Sequence, residues 1–131
     1  MTATSTGRRL EVRVSRHALR RFEERAESLL RGRARGRLRG AEAVAWISRE
    51  VAEAIVEGRR SKSRPGWVSG YRIRGRRDGT YRYVWTAEED YERRRCYVIS
   101  PAPRGDRPRA GVEAWTVVTV LVPALFSKRG D

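Results

Sequence analysis

Apolar residues recur along this chain first at alternating positions, then at helical spacing, and then at alternating positions again. After a lead-in of residues 1–7 that is expected to be disordered, the stretch RRLEVRV alternates its leucine and valines with polar residues, which predicts a short half-buried strand. Ser15 follows as a helix N-cap, and the spacing of apolar residues predicts a first helix over about 16–31.

The first helix is expected to have one apolar and one polar side. Its apolar side comprises Leu19, Phe22, Ala26, Leu29 and Leu30. At about 100° per residue, the opposite side gathers His17, Arg21, Glu24, Arg25 and Ser28. His17, the only histidine of the chain, is therefore expected to point away from the core.

A second amphipathic helix is predicted in AEAVAWISREVAEAIVEG. Four apolar residues from Val44 to Ile55 lie there at helical spacing, and Gly58 provides a stop. Between the two helices, the arginine- and glycine-rich segment 31–40 has too little apolar content to pack, so it is expected to be a mobile loop.

The remainder of the chain is expected to be antiparallel sheet. The segment RRSKSRPG is predicted to be a basic linker, and RRDGT is predicted to contain an Asp-Gly hairpin turn. Two further connections are expected: AEEDYE as an acidic turn or one helical turn, and PAPRGDRPRAG as a loop. The four predicted strands are WVSGYRIRG, YRYVWT, RRRCYVIS and VEAWTVVTVLV. The sequence thus predicts a single α+β domain over 8–124, in which two helices pack on one face of a four-stranded antiparallel meander, with or without the N-terminal strand. Residues 125–131 are expected to be a polar tail.

The domain is strongly basic, and nearly all of its basic residues are arginines. The 131 residues carry 30 basic and 16 acidic side chains, for a formal net charge of +14, and only Lys62 and Lys128 are lysines. The planar fork of arginine matches phosphate geometry and also stacks on bases. A GC-rich or thermophilic genome would explain arginine in place of lysine but not the excess of positive charge. The excess predicts a polyanionic partner, which is RNA, DNA or an acidic protein.

Several other classes of protein are disfavoured. Cys96 is the single cysteine, which precludes an intrachain disulfide and fits a reducing compartment. The N-terminus lacks the apolar region of a signal peptide, and the longest apolar run is too short for a bilayer, so a cytoplasmic protein without membrane association is expected. One histidine and one cysteine cannot form a zinc site, and no glycine-rich phosphate loop is present, so neither metal nor cofactor is expected.

The chemistry that the remaining residues suit is metal-free cleavage of RNA. In that reaction a base deprotonates the ribose 2′-hydroxyl, an acid protonates the leaving 5′-oxygen, and cations stabilise the charge that develops on the phosphate. On the first helix, His17, Arg21, Glu24 and Arg25 supply the required groups. The alternative is that His17 is an ordinary surface residue and that Arg21, Glu24 and Arg25 form surface ion pairs.

A further set of residues is expected to contact nucleic acid. Its members are Arg33, Arg35, Arg37, Arg39, Tyr81, Tyr83, Arg93 and Arg95. The loop arginines are of the kind that become ordered on RNA, and the two tyrosines are either stacking platforms for unpaired bases or ordinary sheet packing. The arginines Arg93 and Arg95 would guide the nucleic-acid backbone.

Three short motifs carry a family resemblance: SRHALRRFEER, ISREVAEAIVEG and TVVTVL. They resemble the small ribonuclease-toxin superfamily that includes RelE and BrnT, together with a related bacterial and phage domain family of unknown function. The resemblance spans about residues 10–122 and implies a RelE-like fold and a ribonuclease directed at RNA or ribosome-bound mRNA. Members are often held inactive by an acidic or DNA-binding antitoxin. Only His17, Arg21 and Arg25 carry over by position, and the arginine–glycine insertion is longer than the family's usual turn.

Two functions therefore stay open. The favoured one is a metal-independent endoribonuclease of toxin type that cleaves RNA by attack of the 2′-hydroxyl. The other is a non-catalytic regulator, encoded by phage or host, that binds RNA, DNA or a component of the transcription or translation machinery. An interaction protein that recognises an acidic surface is a third option.

Overall fold

The computed structural model describes residues 2–5, 8–29, 39–68, 80–101 and 111–123. Its elements, in chain order, are β1 (Thr2–Ser5), β2 (Arg8–Val14), α1 (Arg16–Leu29), α2 (Gly40–Val56), β3 (Arg60–Ser61), β4 (Arg82–Trp85), a 3₁₀ turn (Tyr91–Arg93), β5 (Cys96–Pro101) and β6 (Val112–Leu121). The predicted α+β class is confirmed.

The described strands form one mixed sheet in the order β1-β2-β6-β5-β4-β3. Strands β4, β5 and β6 form the expected antiparallel meander, but β2 lies beside β6 and runs parallel to it. The prediction of four antiparallel strands is therefore wrong in detail. The parallel pair aligns Leu10 with Glu113 and Val12 with Trp115, joining two strands from opposite ends of the domain.

Other sequence boundaries also shift. The lead-in 1–7, expected to be disordered, contains β1, which pairs antiparallel with β2 through its backbone and needs no apolar side chains to do so. The predicted linker 59–66 contains β3, which pairs with β4. The predicted strand WVSGYRIRG extends beyond the described residues after Val68, which forms a single bridge with Pro123.

Hydrogen bonds at the helix ends explain where each helix begins or ends. The Oγ of Ser15 accepts from the backbone N–H of Ala18 at 3.0 Å, which confirms the predicted N-cap of α1. At the end of α2, Gly58 adopts a φ of 79°, and Arg59 donates its backbone N–H to the carbonyl of Ala54 at 2.8 Å. This is a Schellman motif, so the predicted glycine stop is confirmed.

The main core lies between the two helices and one face of the sheet. It contains fully buried residues from both helices and four strands, among them Phe22, Ile47, Val51, Val84 and Val117. A smaller cluster on the opposite face contains Val68, Cys96, Val98 and Leu121. Within the described ranges, no helix is long and apolar enough to cross a membrane.

Candidate nucleic-acid interface

The N-terminal half of α1 presents three basic side chains to solvent. Arg16, His17 and Arg20 are exposed, whereas Ala18 and Phe22 on the other side of the helix are fully buried. At about 100° per residue, the three exposed residues fall within one arc of about 100°. We call this group the α1 basic patch.

The electrostatic environment of the α1 basic patch is unfavourable for positive charge. The first turn of α1 holds no acidic residue, and the partial positive charge of the helix dipole lies at this end. Arg16 and Arg20 also repel each other across one helical turn. None of the three side chains has a hydrogen-bond or ion-pair partner within the part of the chain that the structure describes.

The acidic residues of α1 lie further along the helix and have other partners. The carboxylate of Glu24 accepts from Arg21 at 2.9 Å, and both side chains are well exposed, at 49% and 40%. The carboxylate of Glu23 accepts the backbone N–H of Gly40 at 3.1 Å and so caps the start of α2. Both carboxylates therefore accept hydrogen bonds from groups outside the α1 basic patch.

The four predicted catalytic residues of the first helix differ in their exposure and hydrogen-bond partners. His17 is exposed, while Arg21 and Glu24 form the surface ion pair that was the alternative interpretation. Arg25 donates to the backbone carbonyl of Val120. This contact has a structural cause, because β2 ends at Val14 and leaves part of the β6 edge uncovered.

Side chains complete the hydrogen bonding of that uncovered edge. The Oγ of Ser15 donates to the carbonyl of Val118 at 3.2 Å. Val118 is also the residue skipped by the register shift between β5 and β6. Ser15 and Arg25 together satisfy β6 carbonyls where the parallel strand no longer reaches, which gives Arg25 a role in the fold.

Arg95, predicted to guide a nucleic-acid backbone, is instead buried. It is 2% exposed, and its Nε donates to Glu50 Oε1 at 3.0 Å while a terminal nitrogen donates to Glu50 Oε2. The hydroxyl of Tyr97 donates to the same carboxylate, and Arg95 also donates to the carbonyl of Arg93 at 2.9 Å. A guanidinium enclosed in this way cannot reach a phosphate at the surface, so the prediction for Arg95 does not hold.

The ionisation of this buried cluster follows from burial and charge. Burial disfavours the guanidinium of Arg95, but the coulombic influence of Tyr97 and the hydrogen bond and charge of Glu50 outweigh it, so the pKa of Arg95 is raised. Burial, followed by the charge of Glu50, raises the pKa of Tyr97 well above its ordinary value. Burial alone raises the pKa of the neighbouring Cys96 thiol to about 12. All three groups keep their usual protonation states at neutral pH.

The other predicted nucleic-acid contacts have varied placements. Arg93 is half-buried, with its Nε 3.6 Å from Asp90 Oδ2, and Arg39 is exposed immediately before α2. Tyr81 and Tyr83 are half-buried and pack against the smaller core cluster, on the sheet face opposite the helices. The remaining predicted contacts lie outside the described residues: Arg33, Arg35 and Arg37.

Within the described residues, arginines lie over the rings of three tryptophans. The guanidinium carbon of Arg49 lies 5.5 Å from the ring centroid of Trp46. Arg60 lies 5.6 Å from that of Trp115, whose Nε1 donates to Glu113 at 2.7 Å. A third arginine, Arg94, lies between Trp67 and Tyr91, at 5.9 and 5.7 Å. These rings are occupied by cation–π contacts within the chain itself.

Two features were missed from the sequence although signals for them exist. Arg16 and Arg20 fall in the same helical arc as His17 at about 100° per residue. Glu50 projects close to Ile47 and Ala54, on the apolar side of α2, where a carboxylate needs a buried partner. The partner, Arg95, follows 45 residues later.

Neither a metal centre nor a family assignment emerges for this site. Among the described residues, no group of three or more histidine, cysteine, aspartate or glutamate side chains is placed to hold a metal ion. Comparison with family models, curated proteins and solved structures finds no match for this chain.

Proposed function

We propose that this protein is a non-catalytic nucleic-acid-binding protein whose interface includes the α1 basic patch, and that it acts in the cytoplasm. The observation that carries the proposal is the exposure of Arg16, His17 and Arg20 at a helix end that disfavours positive charge. A cation in the first turn of a helix, such as Arg16, costs about 0.3–1 kcal/mol. A polyanion bound there offsets this cost, and the net charge of +14 adds long-range attraction.

The proposal predicts opposite effects of one substitution on stability and on binding. Arg16→Glu places a carboxylate in the first turn of α1 and so stabilises the free protein by up to about 1 kcal/mol, whereas Arg20→Glu, one turn further on, tests binding alone. The same substitutions weaken binding to nucleic acid, because they remove a cation and add a repulsive charge. Free energies of unfolding come from urea titration, and dissociation constants come from fluorescence anisotropy with a labelled duplex at about 50 mM salt.

Lys62→Glu is the matched control for these variants. Lys62 is exposed beyond β3, at the edge of the sheet distant from β2, and its reversal changes the net charge equally. It is expected to reduce affinity only slightly and to leave stability nearly unchanged. Equal loss of affinity in the α1 and Lys62 variants would show that net charge alone drives binding, and this result would contradict the proposed interface.

A second candidate function is the metal-independent endoribonuclease that the RelE and BrnT resemblance implies. The observation in its favour is the exposure of His17 between two arginines of the α1 basic patch. Against it, Arg25 is engaged by the backbone of β6 and Arg21 by Glu24. The test incubates RNA with the protein in excess chelator and compares the wild type with His17→Ala. Cleavage that depends on His17 would establish this function, whereas intact RNA, or equal cleavage by both proteins, would reject it.

A further inference from the structure

We infer that the α1 basic patch recognises the sugar–phosphate backbone by its charge density and binds duplexes more tightly than single strands of the same sequence. This inference rests on the proposed function and names its substrate class. The two alternatives to be distinguished are recognition of phosphates alone and stacking of unpaired bases on aromatic side chains.

The side chains of the patch are suited to phosphates. Arg16 and Arg20 are one helical turn apart, which corresponds to a rise of about 6 Å along the helix axis. Two guanidinium groups this close can contact neighbouring phosphates of one strand. Among the described residues, the arginines that lie over tryptophan and tyrosine rings are Arg49, Arg60 and Arg94, and not Arg16 or Arg20.

Five aromatic residues in the described part of the chain already contact other side chains. Trp46, Trp67 and Trp115 each lie beneath an arginine of the same chain. Tyr81 and Tyr83 pack against the smaller core cluster. Stacking a base on these rings would require displacing an existing cation–π or packing contact.

The fourth tryptophan lies on the wrong face to take part. Trp85 is aligned with Cys96, whose side chain belongs to the cluster opposite the helices. Because residues aligned across an antiparallel pair point to the same face, Trp85 also projects away from α1. A base held by the α1 basic patch therefore has no tryptophan to stack on.

Recognition of phosphates alone makes affinity follow the charge density of the ligand. A DNA duplex carries one negative charge per about 1.7 Å of its axis. Each phosphate that the protein neutralises releases about 0.9 counterions from a duplex and about 0.7 from a single strand. Duplexes of DNA and of RNA are therefore expected to bind more tightly than the corresponding single strands at low salt. Scrambling the sequence is expected to change the dissociation constant less than about twofold, since no base edge is read.

The experiment measures binding of the full chain to one labelled sequence and its scrambled version, each as single strand and duplex, in DNA and in RNA. Salt is varied from about 50 to 200 mM. The Arg20→Gln variant is expected to reduce the slope of log affinity against log salt by about 0.9 on duplex DNA and about 0.7 on single strands. Lys62→Gln, the matched control, is expected to leave both slopes nearly unchanged.

Intrinsic tryptophan emission provides the second measurement. It is expected to remain unquenched when a single strand binds, because no base stacks on a tryptophan. A preference for single strands, a dependence on sequence, or quenching on binding would each overturn recognition by charge density while leaving nucleic-acid binding intact. Failure to bind any of the oligonucleotides would instead overturn the proposed function itself.

Discussion

Replacing Glu50 with glutamine removes the negative charge that accompanies Arg95 inside the fold. Arg95 is 2% exposed and donates to both oxygens of the Glu50 carboxylate, so the neutral amide leaves a buried guanidinium without its counter-ion. Breaking one partner of a buried pair costs about 3–5 kcal/mol. Because the Glu50 side chain itself remains 16% exposed, we expect a loss near the lower end, about 3 kcal/mol. That is a large share of the ~5–15 kcal/mol that stabilises a folded domain.

Urea unfolding followed by tryptophan fluorescence measures this loss. Glu24→Gln is the matched control, because it makes the same chemical change in an ion pair whose side chains are 40% and 49% exposed. Its expected cost is below about 0.5 kcal/mol, as for other exposed pairs. A loss below about 1 kcal/mol for Glu50→Gln, or equal losses at both sites, would refute the reasoning.

Two further variants keep the test informative if Glu50→Gln does not fold. Combining it with Arg95→Met removes both charges, and replacement of a buried pair by uncharged residues is often neutral. The double variant is therefore expected to recover much of the lost stability. Tyr97→Phe removes only the hydroxyl that donates to Glu50, at an expected cost of about 1.5–3 kcal/mol.

Three smaller effects follow from other parts of the structure. Ser15→Ala removes the cap of α1 and is expected to lower the free energy of unfolding by about 0.5–2 kcal/mol in urea titration, whereas no effect would mean that the cap bond contributes nothing. Gly58→Ala is expected to lower the free energy of unfolding by about 1 kcal/mol, because φ is 79° at this position. The control Gly66→Ala, at a position without positive φ, is expected to cost clearly less, and equal losses would contradict backbone strain as the cause. Burial raises the pKa of Cys96 from 9.0 to about 12, so the thiolate forms at lower pH in the unfolded chain than in the folded protein. The free energy of unfolding therefore falls as pH rises above about 9, by up to ~1.4 kcal/mol per pH unit. Cys96→Ala should flatten the dependence of unfolding free energy on pH between about 9 and 10, below the range where Tyr97 contributes, and an unchanged slope would contradict this cause.

Local patterns predicted those parts of the fold that depend on neighbours in sequence. The Ser15 cap, the Gly58 stop and the three consecutive strands β4 to β6 each have a short-range signal, and each is present. The parallel pairing of β2 with β6 has no such signal, because the paired residues, such as Arg9 and Val112, are about a hundred positions apart. Alternation shows that a strand is half-buried but does not identify its neighbour.

The candidate site was predictable only in part, for a related reason. Helical projection placed His17 away from the core correctly, since that depends only on the geometry of one helix. The acceptors of Arg25 and Arg95 come from β6 and α2, so their engagement depends on packing between distant segments. Sequence alone could not distinguish these arginines from exposed ones.

The contrast between these arginines bears on how a basic composition should be interpreted. A net charge of +14 predicts attraction to a polyanion. It does not distinguish arginines that stabilise the fold from arginines that face solvent. Arg95 is held by a carboxylate and Arg25 by a backbone carbonyl, so removing either damages the folded state before it affects binding. Arg16 stands in the opposite relation to stability, because it is exposed in the first turn of a helix, where positive charge is disfavoured, and Arg20 repels it from the next turn. A charge that opposes stability indicates a position that serves a ligand rather than the fold. The α1 basic patch is therefore a stronger indication of function than the number of arginines.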